Sequence, residues 1–307
     1  MEQLSLYVDE SVARPGREVK RLSVYLGLAV LLAAASLVAV NSRGGASTKF
    51  PRVLVPGSSG ACSSPPNGAL FTQADGGAQI TVCISQQGNI NQITYPDTSH
   101  GQIAWDGYCL FDQDDSAVYQ DFSPGAGVTN QGFGAATLTQ TAPEIFGMTR
   151  TTTDNRYQLT EFIKINLQPR SVFVGMTLKN VGSVTHHVVA SRLVAPAIDG
   201  SAANDEYNEF GGTGTGSGRT EQAYQSSPVG SNSLLFGATQ SGSQVDTVTA
   251  SSFQAGNGCI STGFWLIDFG GHVTGGNRVI AGLVSPTVVT LAPGASAIVG
   301  KYVYRML

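Results

Sequence analysis

Charge is what this chain has least of. Only 12% of its 307 residues are Asp, Glu, Lys or Arg, about half the level usual for a soluble globular domain. The 17 basic and 21 acidic residues leave a net charge of -4, so the overall balance carries no electrostatic footprint for nucleic acid. Helical periodicity is also missing. Beyond residue 76 no segment keeps an amphipathic helical pattern for about three turns, which argues against helical bundles and α/β folds. The chain has no G-x-S-x-G elbow, P-loop or zincin motif, and Asp268-Phe269-Gly270 matches the kinase triplet in its letters alone. None of the four cysteines falls in a C-x-x-C or His–Cys spacing suited to a metal.

In place of charge the chain carries Ser, Thr, Asn, Gln and 38 glycines, with hydrophobic residues at 41%. That composition is too apolar for disorder, too polar for a multi-span membrane protein, and suited to many-turned β structure. One long apolar run stands apart, Leu22 to Val40, 19 residues without a charge. As a helix it reaches about 28 Å, enough to cross a hydrocarbon core. Arg14, Arg17, Lys20 and Arg21 precede it and place the amino terminus in the cytoplasm by the positive-inside rule. All four cysteines follow it, in agreement with export of the remainder.

The organisation expected is therefore a cytoplasmic tail (1–21), a transmembrane signal anchor (22–40), a Gly/Ser/Pro-rich stalk (41–76) and an exported domain (77–307). The membrane is the partner of residues 22–40. The rival is a cleaved signal peptide and a secreted protein, with cleavage inside Ala33-Ala34-Ala35 or after Ala46.

Within 77–307, short runs of β-branched and aromatic residues are separated by Gly, Asn, Asp and Pro. Strands are expected at 79–85, 90–95, 103–111, 118–122, 145–152, 157–167, 171–179, 186–195, 233–237, 245–249, 260–268, 278–283, 287–291 and 297–304. Val172, Val174, Met176 and Leu178 alternate with less apolar neighbours, the pattern of a half-buried antiparallel strand. So many strands without intervening helices predict an all-β fold, a large antiparallel two-sheet sandwich behind one N-terminal helix. Four cysteines in an exported chain predict two disulfides. Proximity favours Cys62–Cys83, which leaves Cys109–Cys259.

Several phrases occur in a telling order: Gly88-Asn89-Ile90-Asn91-Gln92-Ile93-Thr94-Tyr95-Pro96, Trp105-Asp106-Gly107-Tyr108-Cys109, Tyr119-Gln120-Asp121-Phe122 and Thr149-Arg150-Thr151-Thr152-Thr153-Asp154. Met176-Thr177-Leu178-Lys179-Asn180 and Leu291-Ala292-Pro293-Gly294-Ala295-Ser296 follow. Across residues 78–307 the chain resembles a group of exported bacterial proteins whose cores are similar to the galactose-mutarotase-like supersandwich. The resemblance implies fold and export. Related proteins commonly carry an acidic D-x-D-G-type stretch where this chain has Ala197-Ile198-Asp199-Gly200, one acidic position short. Mutarotases pair a catalytic His with a Glu, and the counterparts that could be nominated here are His187 or His272 with Glu161 or Glu209.

Read from the residues themselves, Asp199, Asn204, Asp205, Glu206 and Glu209 form the densest set of oxygen ligands, suited to Ca²⁺. The bland reading of that stretch is a solvated acidic loop. A second acidic group is Asp112, Asp114, Asp115 and Asp121. Trp105, Tyr108 and Trp265 are the candidate glycan-stacking aromatics, with core packing as the alternative. The function expected is a non-catalytic cell-surface or envelope module that binds glycans or joins a surface assembly. The alternative is a carbohydrate-active enzyme of mutarotase, epimerase or lyase type on the same scaffold.

Overall fold

The computed structural model describes residues 68–75, 77–97, 99–123, 126–166, 170–198, 205–210, 220–225, 233–239, 244–249, 272–274, 278–283 and 288–306. All belong to the second of two units of the chain, Pro51–Leu307. The expected anchor at 22–40, Cys62, Cys259, Trp265 and the strand at 260–268 lie outside the described residues. Among the described residues no helix is long and apolar enough to cross a membrane.

The fold is all-β and antiparallel. Its strands are β1 (Ala69–Asp75), β2 (Ala78–Ile84), β3 (Ile90–Thr94), β4 (Ile103–Asp112), β5 (Ala117–Phe122), β6 (Phe133–Ala142), β7 (Ile145–Thr152), β8 (Tyr157–Asn166) and β9 (Ser171–Asn180). Then follow β10 (His186–Pro196), β11 (Asp205–Phe210), β12 (Thr220–Gln225), β13 (Ser233–Ala238), β14 (Gln244–Thr249), β15 (His272–Thr274), β16 (Arg278–Leu283), β17 (Val289–Leu291) and β18 (Ser296–Met306).

Three sheets form where two were expected. A nine-stranded sheet runs β15-β11-β12-β13-β18-β9-β8-β7-β6, a six-stranded sheet runs β14-β16-β10-β4-β5 with β17 beside β10, and β1-β2-β3 form a third. β1 uses the last part of the segment expected to be a stalk, pairing with β2 from Ala69↔Ile84 to Asp75↔Ala78. β11 occupies part of the expected acidic loop. Asp-Glu-Tyr-Asn-Glu-Phe is poor in strand formers, but pairing with β12 on one edge and β15 on the other overrides that preference.

Alternation works as the sequence predicts in the nine-stranded sheet. Leu159, Ile163 and Ile165 of β8 are buried beside Val172, Val174, Met176 and Leu178 of β9, while Thr160, Phe162 and Lys164 face outward. β4 and β10 are different, because both of their faces are covered. Tyr108, Leu110, Val188, Ala190 and Val194 join the main core. Trp105, Cys109, Phe111, Val189, Leu193 and Ala195 form a second apolar cluster with Phe122.

Two of the phrases that carry the resemblance meet in space. The Asn180 carboxamide donates to Val184 O (2.6 Å) and Leu291 O (2.8 Å), and its Oδ1 accepts from Gly182 N. Its backbone accepts from Gly294 N, whose φ of +74° suits glycine in that turn. A glycine is equally constrained at Gly107, opposite Phe122 in the β4–β5 pair. A Cβ there would stand 2.1 Å from the Phe122 ring and 2.5 Å from Asp121 O. Gly107→Ala is expected to cost about 1–3 kcal/mol in urea denaturation, because the paired backbone must shift. A change below a few tenths of a kcal/mol would contradict that packing.

Candidate functional site

A cleft of about 530 Å³ opens between the β2–β3 turn, the start of β3, the end of β5 and the segment after it. The turn is tight for a local reason. Ser85 Oγ accepts from the backbone N–H groups of Gln87 (3.2 Å) and Asn89 (3.1 Å), and Gly88 takes φ +87°. The other wall folds back on β5. Asn130 Oδ1 accepts from Phe122 N at 2.8 Å, and Gln120 donates to Thr129 O at 2.8 Å. Ser85, Gln87, Asn89, Asn91, Thr129 and Asn130 thus give the cleft amide and hydroxyl walls, and Asp121 supplies its carboxylate.

Asp121 is buried and doubly held. Asn89 Nδ2 donates to Oδ1 at 2.8 Å, and Arg150 Nη1 forms an ion pair with Oδ2. Arg150 also donates to Tyr108 Oη (2.9 Å) and Gly134 O (2.7 Å), while the Tyr108 hydroxyl donates to Gln87 O. Three strands and the turn are tied to one guanidinium. Among the described residues, neither Asn89 Oδ1 nor either amide atom of Asn91 has a hydrogen-bond partner. These three atoms are sealed behind the wall, where a polar atom without a partner is costly.

Beneath the cleft lies a second, fully buried network. Arg192 donates to Tyr304 Oη (2.6 Å), Glu161 Oε1 (3.1 Å), Gly88 O (3.1 Å) and Asp106 Oδ2. Asp106 further accepts from the Tyr304 hydroxyl and from Ile90 N at 2.8 Å. Glu161 Oε2 has no partner among the described residues. One guanidinium cannot neutralise two carboxylates, so the acid with fewer donors holds the proton. Burial pushes Glu161 up to about 8, against the pull of Arg192. Burial raises Asp106 as well, opposed by Arg192 and its hydrogen bonds.

The second acidic group separates into distinct roles. Asp121 belongs to the cleft. Asp114 accepts from the backbone and ring of exposed His187, hydrogen bonds that lower its pKa. Asp112 accepts from the Tyr157 hydroxyl at 2.7 Å and lies 2.9 Å from Nδ1 of buried His186. Ligand atoms of Asp112, Asp115 and His186 lie within 4.8 Å of one another. The Arg156 guanidinium already sits on both carboxylates, so the protein itself supplies the positive charge there.

The other sequence candidates are placed as follows. Trp105 (5% exposed) and Tyr108 (0%) are core residues and present no ring to a sugar; Trp105 packs edge-on against Phe122 instead. Cys83 on β2 and Cys109 on β4 are not free thiols. Asp199 and Asn204 lie outside the described residues, while Asp205, Glu206 and Glu209 fall on β11. His272 begins β15 rather than lying in a loop. His187 and Glu161 do not converge, since one is exposed on the strand and the other is sealed between sheets. Asn89, Asn91, Arg150 and Arg192 belong to no catalytic signature in the sequence. The first three lie inside the phrases that carry the resemblance.

No family model matches the chain, and no curated protein does. Among solved structures, a bacterial glucoamylase complexed with acarbose is similar at TM-score 0.52 and 9% identity over 87% of this chain. The chain spans only about a third (34%) of that protein. A putative aldose 1-epimerase from Escherichia coli K12 has TM-score 0.45 and 10% identity, covering 78% of this chain and 99% of its own. A galactose mutarotase related enzyme from Lactobacillus acidophilus has TM-score 0.43 and 6% identity, covering 78% and 97%. The glucoamylase likeness shows a shared β-sandwich fold.

Proposed function

We propose that the cleft binds a neutral saccharide and that the protein acts as an exported carbohydrate-binding module. The observation that carries this reading is the mixed wall, the amides and hydroxyls of Ser85, Gln87, Asn89, Asn91, Thr129 and Asn130 beside apolar Phe122, Ala126 and Val128. A sugar hydroxyl donates and accepts at once, so vicinal hydroxyls match side-chain amides that also do both. The one carboxylate lining the cleft is committed to Arg150 and Asn89. Among the described residues no histidine lines the cleft, so they assemble no His–carboxylate pair for proton transfer there. Export rests on the apolar run at 22–40 and its basic flank.

A carbohydrate-active enzyme of mutarotase, epimerase or lyase type is the second reading. The sandwich shared with a glucoamylase chain and the presence of Asp121 in the wall favour it. One experiment separates the two: titration of the full chain with a panel of mono- and oligosaccharides, alongside polarimetry of α-galactose. Binding without anomer interconversion above the buffer rate is expected. Asn91→Ala is expected to weaken binding about tenfold, the loss of one well-made hydrogen bond. Interconversion that disappears in Asp121→Asn would establish the enzyme instead, and no binding by any sugar would end both readings.

A further inference from the structure

One part of the nine-stranded sheet, β6 to β9 with β18, has an outward face chemically unlike the rest of the chain. Strands β6, β7, β8, β9 and β18 contain a single carboxylate, Glu161, and it faces inward. Their outward positions carry Lys164, Lys179, Lys301 and Arg305. None of these four makes an ion pair with another described residue, and the chain as a whole is net -4. On these five strands the outward face gathers cations, while the other acids of the sheet's strands belong to β11 (Asp205, Glu206, Glu209) and β12 (Glu221).

Apolar rings stand among them. Phe162 is 44% exposed and meets Phe173 of the next strand edge-on, ring centroids 6.5 Å apart. The register places Gly147, Phe162, Gly175 and Lys301 in one row across four strands. Neither glycine is needed for a positive φ, and an added Cβ would meet its nearest neighbour at 3.4 Å, an ordinary contact. A small side chain fits at both positions. The Phe173 ring leans over Gly175 and Thr139 over Gly147, so the bare glycines let these side chains close in beside Phe162. Lys164 lies about 7 Å along the strand from Phe162, and Lys301 about 10 Å across the sheet. Thr149, Thr160 and Thr177 form the adjoining row.

We propose that this face docks an anionic polysaccharide, a chain bearing uronate or sulfate groups, with sugar rings lying on Phe162 and Phe173. The four cations complement the acidic groups, and the threonine row meets the hydroxyls. Single-stranded nucleic acid also uses rings and cations, but the export expected from residues 22–40 separates it from this domain. The surface lies on the opposite side of β7 and β8 from the network below the cleft, so it is independent of the saccharide reading above.

The test is affinity electrophoresis of the full chain in detergent, through gels containing sodium polygalacturonate or neutral galactan. Gel shifts with oligo(dT) and flotation with phosphatidylglycerol vesicles accompany it. Retardation is expected with polygalacturonate and not with galactan, and raising the salt should weaken it because screening reaches these exposed charges. The double variant Lys164→Gln/Lys301→Gln should bind at least tenfold more weakly with an unchanged melting temperature, and Phe162→Ala should weaken binding likewise. Equal retardation by galactan, wild-type binding by the double variant, or tighter capture by oligo(dT) or vesicles would each overturn the proposal.

Discussion

Replacing Arg192 with methionine is expected to cost about 3–5 kcal/mol of folding stability, the scale for breaking a buried charge network by removing one partner. Arg192 is fully buried, and its guanidinium reaches Asp106 on β4, Glu161 on β8, Tyr304 on β18 and Gly88 in the turn. Methionine fills most of the volume, so the loss reports charge and hydrogen bonding rather than a cavity. The larger part of it comes from Asp106, left ionisable among apolar residues with no cation beside it. Arg192→Lys should fall between, because an ammonium keeps the charge but cannot span all four acceptors. Adding Asp106→Leu to Arg192→Met should recover part of the loss. Urea unfolding of the three variants measures this, and a loss below about 1 kcal/mol for Arg192→Met would mean the network is not dry.

Much of the strand framework is legible in the sequence for a simple reason. Where one face is buried and the other wet, as in Val172 to Leu178, the letters repeat with a period of two. Legibility fails where that contrast is absent. β6 is an edge strand of Thr, Gln and Ala with most side chains outward, so it has little apolar signal. β1 lies in a region whose Gly and Pro content reads as a stalk, and only its pairing with β2 makes it a strand. The third sheet is invisible for the same reason, since β1, one of its three strands, has no strand pattern of its own.

The candidate site is less legible, and its parts explain why. Asp106, Asp121, Glu161, Arg150 and Arg192 lie on five different strands, so no local spacing links them. Each is an isolated charge in an otherwise apolar or Thr-rich run, where a buried arginine and a surface arginine look alike. The resemblance phrases were the better signal. Gly88-Asn89-Ile90-Asn91, Trp105-Asp106-Gly107-Tyr108 and Tyr119-Gln120-Asp121-Phe122 read as structural phrases, yet they hold the cleft wall and its supports. The aromatics within them, Trp105 and Tyr108, serve the core and leave the ligand-facing work to the amides.

Glu161 makes the molecule's stability depend on pH in a direction opposite to most buried acids in ion pairs. Its unfolded form titrates near the usual 4.5, while burial holds the folded form near 8. Between those values the folded chain keeps a proton that the unfolded chain gives up, so unfolding releases it and stability falls as pH rises. The contribution is complete below about pH 4.5, declines through the window, and flattens above 8. One proton across that window amounts to about 4–5 kcal/mol. Glu161→Gln keeps the shape of the neutral acid and cannot ionise. It is expected to remove this slope, leaving the variant several kcal/mol more stable than the wild type at pH 9 and no more stable at pH 5. The turn closes directly over the carboxyl: a Cβ at Gly88 would stand 2.3 Å from Glu161 Oε2. Denaturation at pH 5, 7 and 9 measures the difference. Parallel pH profiles for wild type and variant would show that Glu161 is ionised in the folded state, and the division of charge around Arg192 would then be reversed.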